Sequence, residues 1–140
     1  MTYRKATLRP FRAEDESVLF TLARGVFGER AGWDEGRTLT ALETDTVFVA
    51  EVEGEPAGYV ALEREEDAVR IGQLLVSPLH EHEGIGHQLV DYAEGFAISE
   101  GARLLRVVVE RDNLRARDFY HRRGFVEAEP ELLELVLPQR

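Results

Sequence analysis

The chain has 140 residues, 44% hydrophobic and 31% charged, which fits one folded domain spanning 1–140 and excludes a disordered chain. Its 17 basic and 27 acidic residues leave a net charge of −10, which argues against nucleic acid as a partner, and no apolar run approaches the ~20 residues that span a bilayer, so no membrane role is expected. With no Cys, disulfides, thiol catalysis and cysteine-ligated zinc are excluded, and the N-terminal residues Met1 to Lys5 lead into no apolar segment, so a cytoplasmic address is expected.

Weak alternation over Thr2 to Arg9 predicts a first strand. Val18, Leu19, Leu22, Ala23 and Val26 recur at helical spacing, which predicts a helix over 13–26, and a weaker helix is expected over 33–42. Strands over 47–52 and 57–63 flank a Glu53-Gly54 turn and read as a hairpin; a charged turn at 64–67 leads to a strand over 69–76, closed by Pro78. Ile85, Leu89, Ala93, Phe96 and Ala97 form an amphipathic pattern that stops at Gly101. Leu104 to Val109 reads as a buried strand, Asn113 as the N-cap of a helix through Arg122 with Gly124 as its stop, and Glu131 to Leu137 as a last strand. The order β-α-α-β-β-β-α-β-α-β is of the α/β class.

Charge along the chain is uneven. Residues 71–102 hold five acids and no Lys or Arg, whereas 103–123 hold seven arginines against three acids. In the acidic stretch, a strand ends at Val76, a short loop follows, and Gly84-Ile85-Gly86 opens a helix. Glycines there allow close backbone approach, and the unpaired N–H groups of a first helical turn can receive a pyrophosphate. The loop is not a Walker A loop, because no Lys-Ser/Thr follows, nor a full dinucleotide fingerprint, because position 89 is Leu. His80-Glu81-His82-Glu83 lacks the spacing of a helical metal motif, so no metal is expected.

The segment Asn113, Ala116, Phe119-Tyr120 and Gly124-Phe125, taken with Leu74-Leu75-Val76-Ser77-Pro78 and the Gly84-Ile85-Gly86 loop, resembles the GCN5-related N-acetyltransferase (GNAT) family over the whole chain. The resemblance implies a mixed central sheet with helices on both faces, of about six to seven strands, in which the fourth and fifth splay apart. It implies acetyl-CoA as co-substrate. The pantetheine would bond like an added strand to the backbone of Leu74, Leu75 and Val76. The pyrophosphate would lie on Glu81, His82, Glu83, Gly84, Ile85 and Gly86 and on the helix start at His87 and Gln88, with Asn113 near the pantetheine arm. Tyr120 would protonate the departing thiolate after direct attack by an amine. The other reading of Tyr120 is a core aromatic with a satisfied hydroxyl.

The sequence departs from the family in the loop. Where Arg or Gln is common three residues before the first glycine it has Glu81, and just before the glycine it has Glu83. That charge inversion is what a catalytically silent acyl-CoA-binding or interaction module would carry, the alternative to a transferase. The general base is not evident. The ribosomal-protein N-terminal acetyltransferases have a Glu where this chain has Val108, and the histone-type enzymes have one where it has Arg70. Phe27, Glu29 and Trp33, with neighbouring acids, combine aromatic and acidic groups suited to holding an ammonium acceptor, or are simply a packed segment. The amine could belong to a small molecule or a peptide, and a homodimer is left open.

Overall fold

The structure is a computed structural model that describes residues 6–28 and 34–139. Four strands pair antiparallel in chain order: β1 (Thr7–Pro10), β2 (Thr46–Val52), β3 (Glu55–Glu65) and β4 (Ala68–Val76). The β2–β3 turn works because Glu53 and Gly54 both adopt left-handed backbone, φ 54° and 81°, which lets two residues reverse a twisted ribbon. β5 (Leu104–Val108) runs parallel to β4, and a parallel pair needs a long crossover, here α3 (Ile85–Ser99). After α4 (Leu114–Arg122), β6 (Val126–Glu129) and β7 (Leu132–Val136) complete a seven-stranded sheet in the order β1-β2-β3-β4-β5-β7-β6.

Both faces are covered. On one, α1 (Glu16–Phe27) and α2 (Glu35–Thr44) bury Leu19, Ala23 and Leu42 against Val47, Val49, Tyr59, Ala61 and Leu75. On the other, Ile85, Leu89, Val90, Ala93 and Ala97 of α3 pack with Tyr120 and Phe125 over Val60, Leu62, Val69, Ile71 and Leu105. A buried ion pair anchors the entry to α1. Arg9 donates to both oxygens of Asp15 at 2.7 and 2.8 Å, and Asp15 also accepts from the Arg12 N–H at 2.7 Å. The Arg9 guanidinium thereby holds the Asp15 carboxyl below its ordinary range. Among the described residues no helix is long and apolar enough to cross a membrane.

Three expectations change. The first strand is seen only from Thr7, since residues 1–5 lie outside the described chain. The second helix starts at Glu35, after Asp34, whose carboxylate accepts from the N–H groups of Gly36 and Arg37 at 2.8 and 3.3 Å. β6 was not expected, because all four of its residues are exposed and leave no alternation to read.

The feature that creates a site is the parting of β4 from β5. Their pairing runs only from Ala68↔Leu104 to Ile71↔Val107. There β4 bulges: Ile71 pairs with Leu62 and Gln73 with Ala61, which leaves Gly72 without a counterpart. Beyond the bulge β4 stays with β3 as far as Val76, while Val108 of β5 continues against Leu132 of β7.

Candidate functional site

Leu74, Leu75 and Val76 lie on the part of β4 that β5 no longer covers, and they form one wall of a cleft of about 510 Å³. The loop after β4 and the start of α3 form its end, α4 its opposite wall, and Val26 and Phe27 of α1 its rim. Ser77 turns the chain out of the sheet by accepting from the Leu79 N–H at 3.3 Å, ahead of a short 3-10 turn at Pro78–His80. The backbone becomes left-handed at His82 (φ 65°) and again at Gly84 (φ 83°), the N-cap of α3.

That N-cap leaves the helix end open. Gly84 has no side chain to accept a bond, and the first intrahelical bond is donated by the Gln88 N–H to the Gly84 carbonyl at 3.1 Å. The N–H groups of Ile85, Gly86 and His87 therefore stay available beside the cleft, where the helix dipole favours an anion. Gly86 is not demanded by the fold. A Cβ there would meet Phe119 at 3.6 Å, an ordinary contact, so its absence leaves room on the cleft side.

Tyr120 is 5% exposed, and its ring packs edge-on against Phe119 and Phe125, both at 5.1 Å between centroids. Its hydroxyl has no hydrogen-bond partner among the described residues. No buried side-chain polar atom among them lacks a partner, so this oxygen reaches the cleft surface instead of being sealed in the core. Burial pushes the phenol up from its ordinary value, keeping it protonated at neutral pH. Asn113 caps α4 by accepting from the Ala116 N–H at 3.2 Å, which turns its amide Nδ2 free beside the cleft.

Most of the residues singled out from the sequence converge here: Leu74, Leu75, Val76, Glu81, His82, Gly84, Ile85, Gly86, His87, Asn113, Tyr120 and Phe27 all line the cleft. Two do not. Gln88 is tied to the first strand's entry, accepting from the Ala6 N–H at 2.9 Å and donating to the Ala6 carbonyl at 3.0 Å. Glu83 does not line the cleft and lies 3.3 Å from His80 Nδ1. Glu29 and Trp33 lie outside the described residues. Of the nearby arginines, Arg115 and Arg122 line the cleft. Arg117 is held by Glu127, and Arg123 by Asp91 and Glu94 at 2.6 and 2.8 Å. Among the described residues no group of His, Asp and Glu could hold a metal ion.

A second cleft, about 590 Å³, opens beneath α2 and was not expected. Gly72 and Gln73 of β4 form its floor, with Asp45, Glu63 and Arg70 around them and Asp34 and Arg37 also in its lining. Gln73 is fixed on both sides: its Oε1 accepts from the Tyr59 hydroxyl at 2.7 Å, and its Nε2 donates to the Thr38 hydroxyl at 2.9 Å. Burial, then the nearby Glu63 charge, raises the Asp45 carboxyl above its ordinary value against the opposing pull of Arg70. No sequence signal marks this cleft, because three separate elements build it.

Comparison with known proteins places these features. The Acetyltransferase (GNAT) family model matches residues 11–125. An uncharacterised N-acetyltransferase of Methanocaldococcus jannaschii is 33% identical over 94 residues, which cover 62% of this chain and 42% of that protein. The chain thus spans less than half the length of that relative. Among solved structures, Ard1 of Thermoplasma volcanium superposes with a TM-score of 0.80 at 18% identity, covering 97% of this chain and 100% of that one. A GNAT family acetyltransferase of Brucella melitensis in complex with acetyl-CoA gives 0.74 at 20% identity, covering 96% and 90%. At these identities the structural matches speak for the fold.

Proposed function

The chain belongs to the Acetyltransferase (GNAT) family, and from that premise we propose that it is an N-acetyltransferase domain carrying acetyl from acetyl-CoA to a primary amine by direct attack. One observation carries the reading: a single cleft brings together the uncovered edge of β4, the unpaired N–H groups of α3 and the unpartnered hydroxyl of Tyr120. The first suits an extended amide-bearing arm, the second a pyrophosphate, and the third a proton donor at the end of that arm.

In this reading, backbone groups of Leu74, Leu75 and Val76 bond the pantetheine. Glu81, His82, Gly84, Ile85, Gly86 and His87 surround the pyrophosphate, and Asn113 donates to the arm. Arg115 and Arg122 supply the positive charge that the loop lacks, with Arg122 partly committed to Asp118 at 3.0 Å. Glu83 is paired with His80 and absent from the cleft lining, which leaves Glu81 and Asp118 as the carboxylates there, Asp118 being paired with Arg122. Tyr120 gives its proton to the leaving thiolate. Phe27, at the rim of this cleft, borders the path of the acceptor to the thioester. The protein works in the cytoplasm.

The alternative, a silent acyl-CoA-binding module, draws its support from Glu81. Titration calorimetry with acetyl-CoA, followed by thiol release with a polyamine, an amino acid and a peptide, separates the readings. Binding with amine-dependent release supports the transferase. Binding without release under any acceptor supports the module, and no binding removes both.

A further inference from the structure

The cleft beneath α2 has no role in the cofactor site, yet it ends on the same part of β4. Its floor, Gly72 and Gln73, belongs to the stretch that has left β5, and Leu74 to Val76 of the cofactor cleft follow at once. Gln73 bonds Thr38 on the α2 side, whereas Leu74 and Val76 pack against the α3 side. The second cleft therefore reaches the parted strands from the α2 face, and the cofactor cleft reaches them from the α3 side and extends to Val26 and Phe27 of α1 at its rim.

Asp45, between α2 and β2, aims its carboxylate at that floor. Its Oδ2 lies 3.6 Å from where a Cβ on Gly72 would stand and has no hydrogen-bond partner among the described residues; its Oδ1 takes one long bond, 3.5 Å, from the Thr44 hydroxyl. The charged groups facing it from the sheet are Glu63 of β3 and Arg70 of β4, and Arg70 is already paired with Glu63 and with Glu65. From the α2 side Asp34 and Arg37 also line the cleft, so three carboxylates (Asp34, Asp45 and Glu63) stand against two guanidinium groups (Arg37 and Arg70), and the lining is net negative, a place for a cation.

We infer that this cleft receives the acceptor, a cationic primary amine, and that Asp45 takes its proton through intervening water. The inference rests on the transferase reading above. Gly72 and Leu74 are two residues apart, about 7 Å along a strand, a gap that a pair of hydrogen-bonded waters can span between a carboxylate and an amine nitrogen. The ammonium gives one proton to Asp45, which passes it to bulk water through the open mouth. The neutral amine attacks the acetyl carbon, the C–N bond forms and the C–S bond breaks. The thiolate takes the Tyr120 proton, and the second proton leaving the nitrogen restores the phenol. The products are amide, free thiol and one proton in solution.

The raised carboxyl suits this work, since a stronger base accepts a proton more readily. It also has a cost of known sign. A carboxyl whose folded value lies above its unfolded value contributes stability below the unfolded value, and that contribution is lost as pH rises through the folded one. At neutral pH the charged Asp45 therefore opposes folding, and its isosteric amide is expected to melt no lower than the parent.

The test compares the parent with Asp45→Asn and Asp45→Glu, using spermidine, glycine and a short peptide as acceptors. CoA affinity by calorimetry should stay within about twofold, since Asp45 is outside that cleft. Amine-dependent thiol release by Asp45→Asn should fall about a hundredfold at pH 7, and the deficit should close toward pH 10, where the amine is already neutral. Asp45→Glu should retain about a tenth of the parent rate. In the CoA complex, spermidine should shift the Asp45 carboxyl resonance in an NMR titration, a readout independent of turnover. A parent that transfers acetyl and an Asn variant that matches it, or lags equally at every pH, overturns the role of Asp45 alone. A parent that binds acetyl-CoA and acetylates nothing overturns the transferase reading and this inference with it.

Discussion

β4 is two strands in one. From Ala68 to Ile71 it is paired on both sides, with Val69 and Ile71 buried under α3. From Gln73 to Val76 it keeps β3 but loses β5, and with the bulged Gly72 these residues line both clefts. The first half behaves as core, where each backbone group has a fixed partner. The second keeps open groups at the cost of one ladder of hydrogen bonds, a cost met by the bonds to β3 and by the polar chain Tyr59–Gln73–Thr38. One bulged glycine separates a segment that holds the sheet together from a segment that can hold a ligand.

The contrast can be broken most forcefully at Ile71, 3% exposed and the last residue paired to β5. Ile71→Ala should lower stability by about 2–5 kcal/mol in urea unfolding, through lost burial and a residual cavity. Its CoA affinity, measured well below the melting point, should hold. A large loss of affinity in the folded variant would mean that the two halves are not separable.

Tyr120 tests the open half by chemistry. Tyr120→Phe should reduce kcat by about ten- to a thousandfold while acetyl-CoA affinity stays nearly constant, because the packed ring is retained and only an unpartnered hydroxyl is lost. Equal rates in variant and parent across pH would remove the phenol from proton transfer.

Gly86 sharpens the boundary between fold and site. Gly86→Ala adds a methyl that the fold accepts at 3.6 Å from Phe119 and that a helix favours, so the melting temperature should hold or rise. CoA binding should weaken about thirtyfold, because the methyl intrudes on the anion's approach to the backbone. A variant with unchanged affinity would move the pyrophosphate away from this helix end.

The smallest expected effect is at Glu81, which is exposed. Glu81→Arg should tighten CoA binding about fivefold at low salt, and the gain should shrink as added salt shortens the Debye length. Unchanged or weaker binding at low salt would place the diphosphate far from this side chain.

The contrast within β4 also explains what could be read beforehand. The sequence pattern located six of the seven strands and all four helices, because each buries a face of its own. The resemblance carried by Asn113, Tyr120 and the Gly84-Ile85-Gly86 loop supplied the parting of β4 and β5, which no local pattern encodes. Gln88 could not be separated from its neighbours, since its tie to Ala6 joins residues 82 positions apart. Glu81 and Glu83 looked equivalent until the left-handed turn at His82 put only the first in the cleft lining. Asp45 falls between the helix expected over 33–42 and the strand expected over 47–52, where no pattern marks it. Its position over Gly72 follows from the bulge, and a one-residue slip in pairing leaves no mark in composition.

The uncovered stretch of β4 also bears on solubility. A strand with unpaired backbone groups normally invites another chain to add to it, and proteins blunt such edges with charge, bulges or covering elements. Here the opening lies inside the sheet. It narrows to the Ile71↔Val107 pair at one end, and β5, α3 and α4 bound it elsewhere. A second polypeptide strand brings side chains on both faces and would meet these walls, whereas a slender, nearly side-chain-free arm can enter. Aggregation is thus opposed by the shape of the gap itself, and the domain can leave backbone unsatisfied at its centre without exposing it to copies of itself.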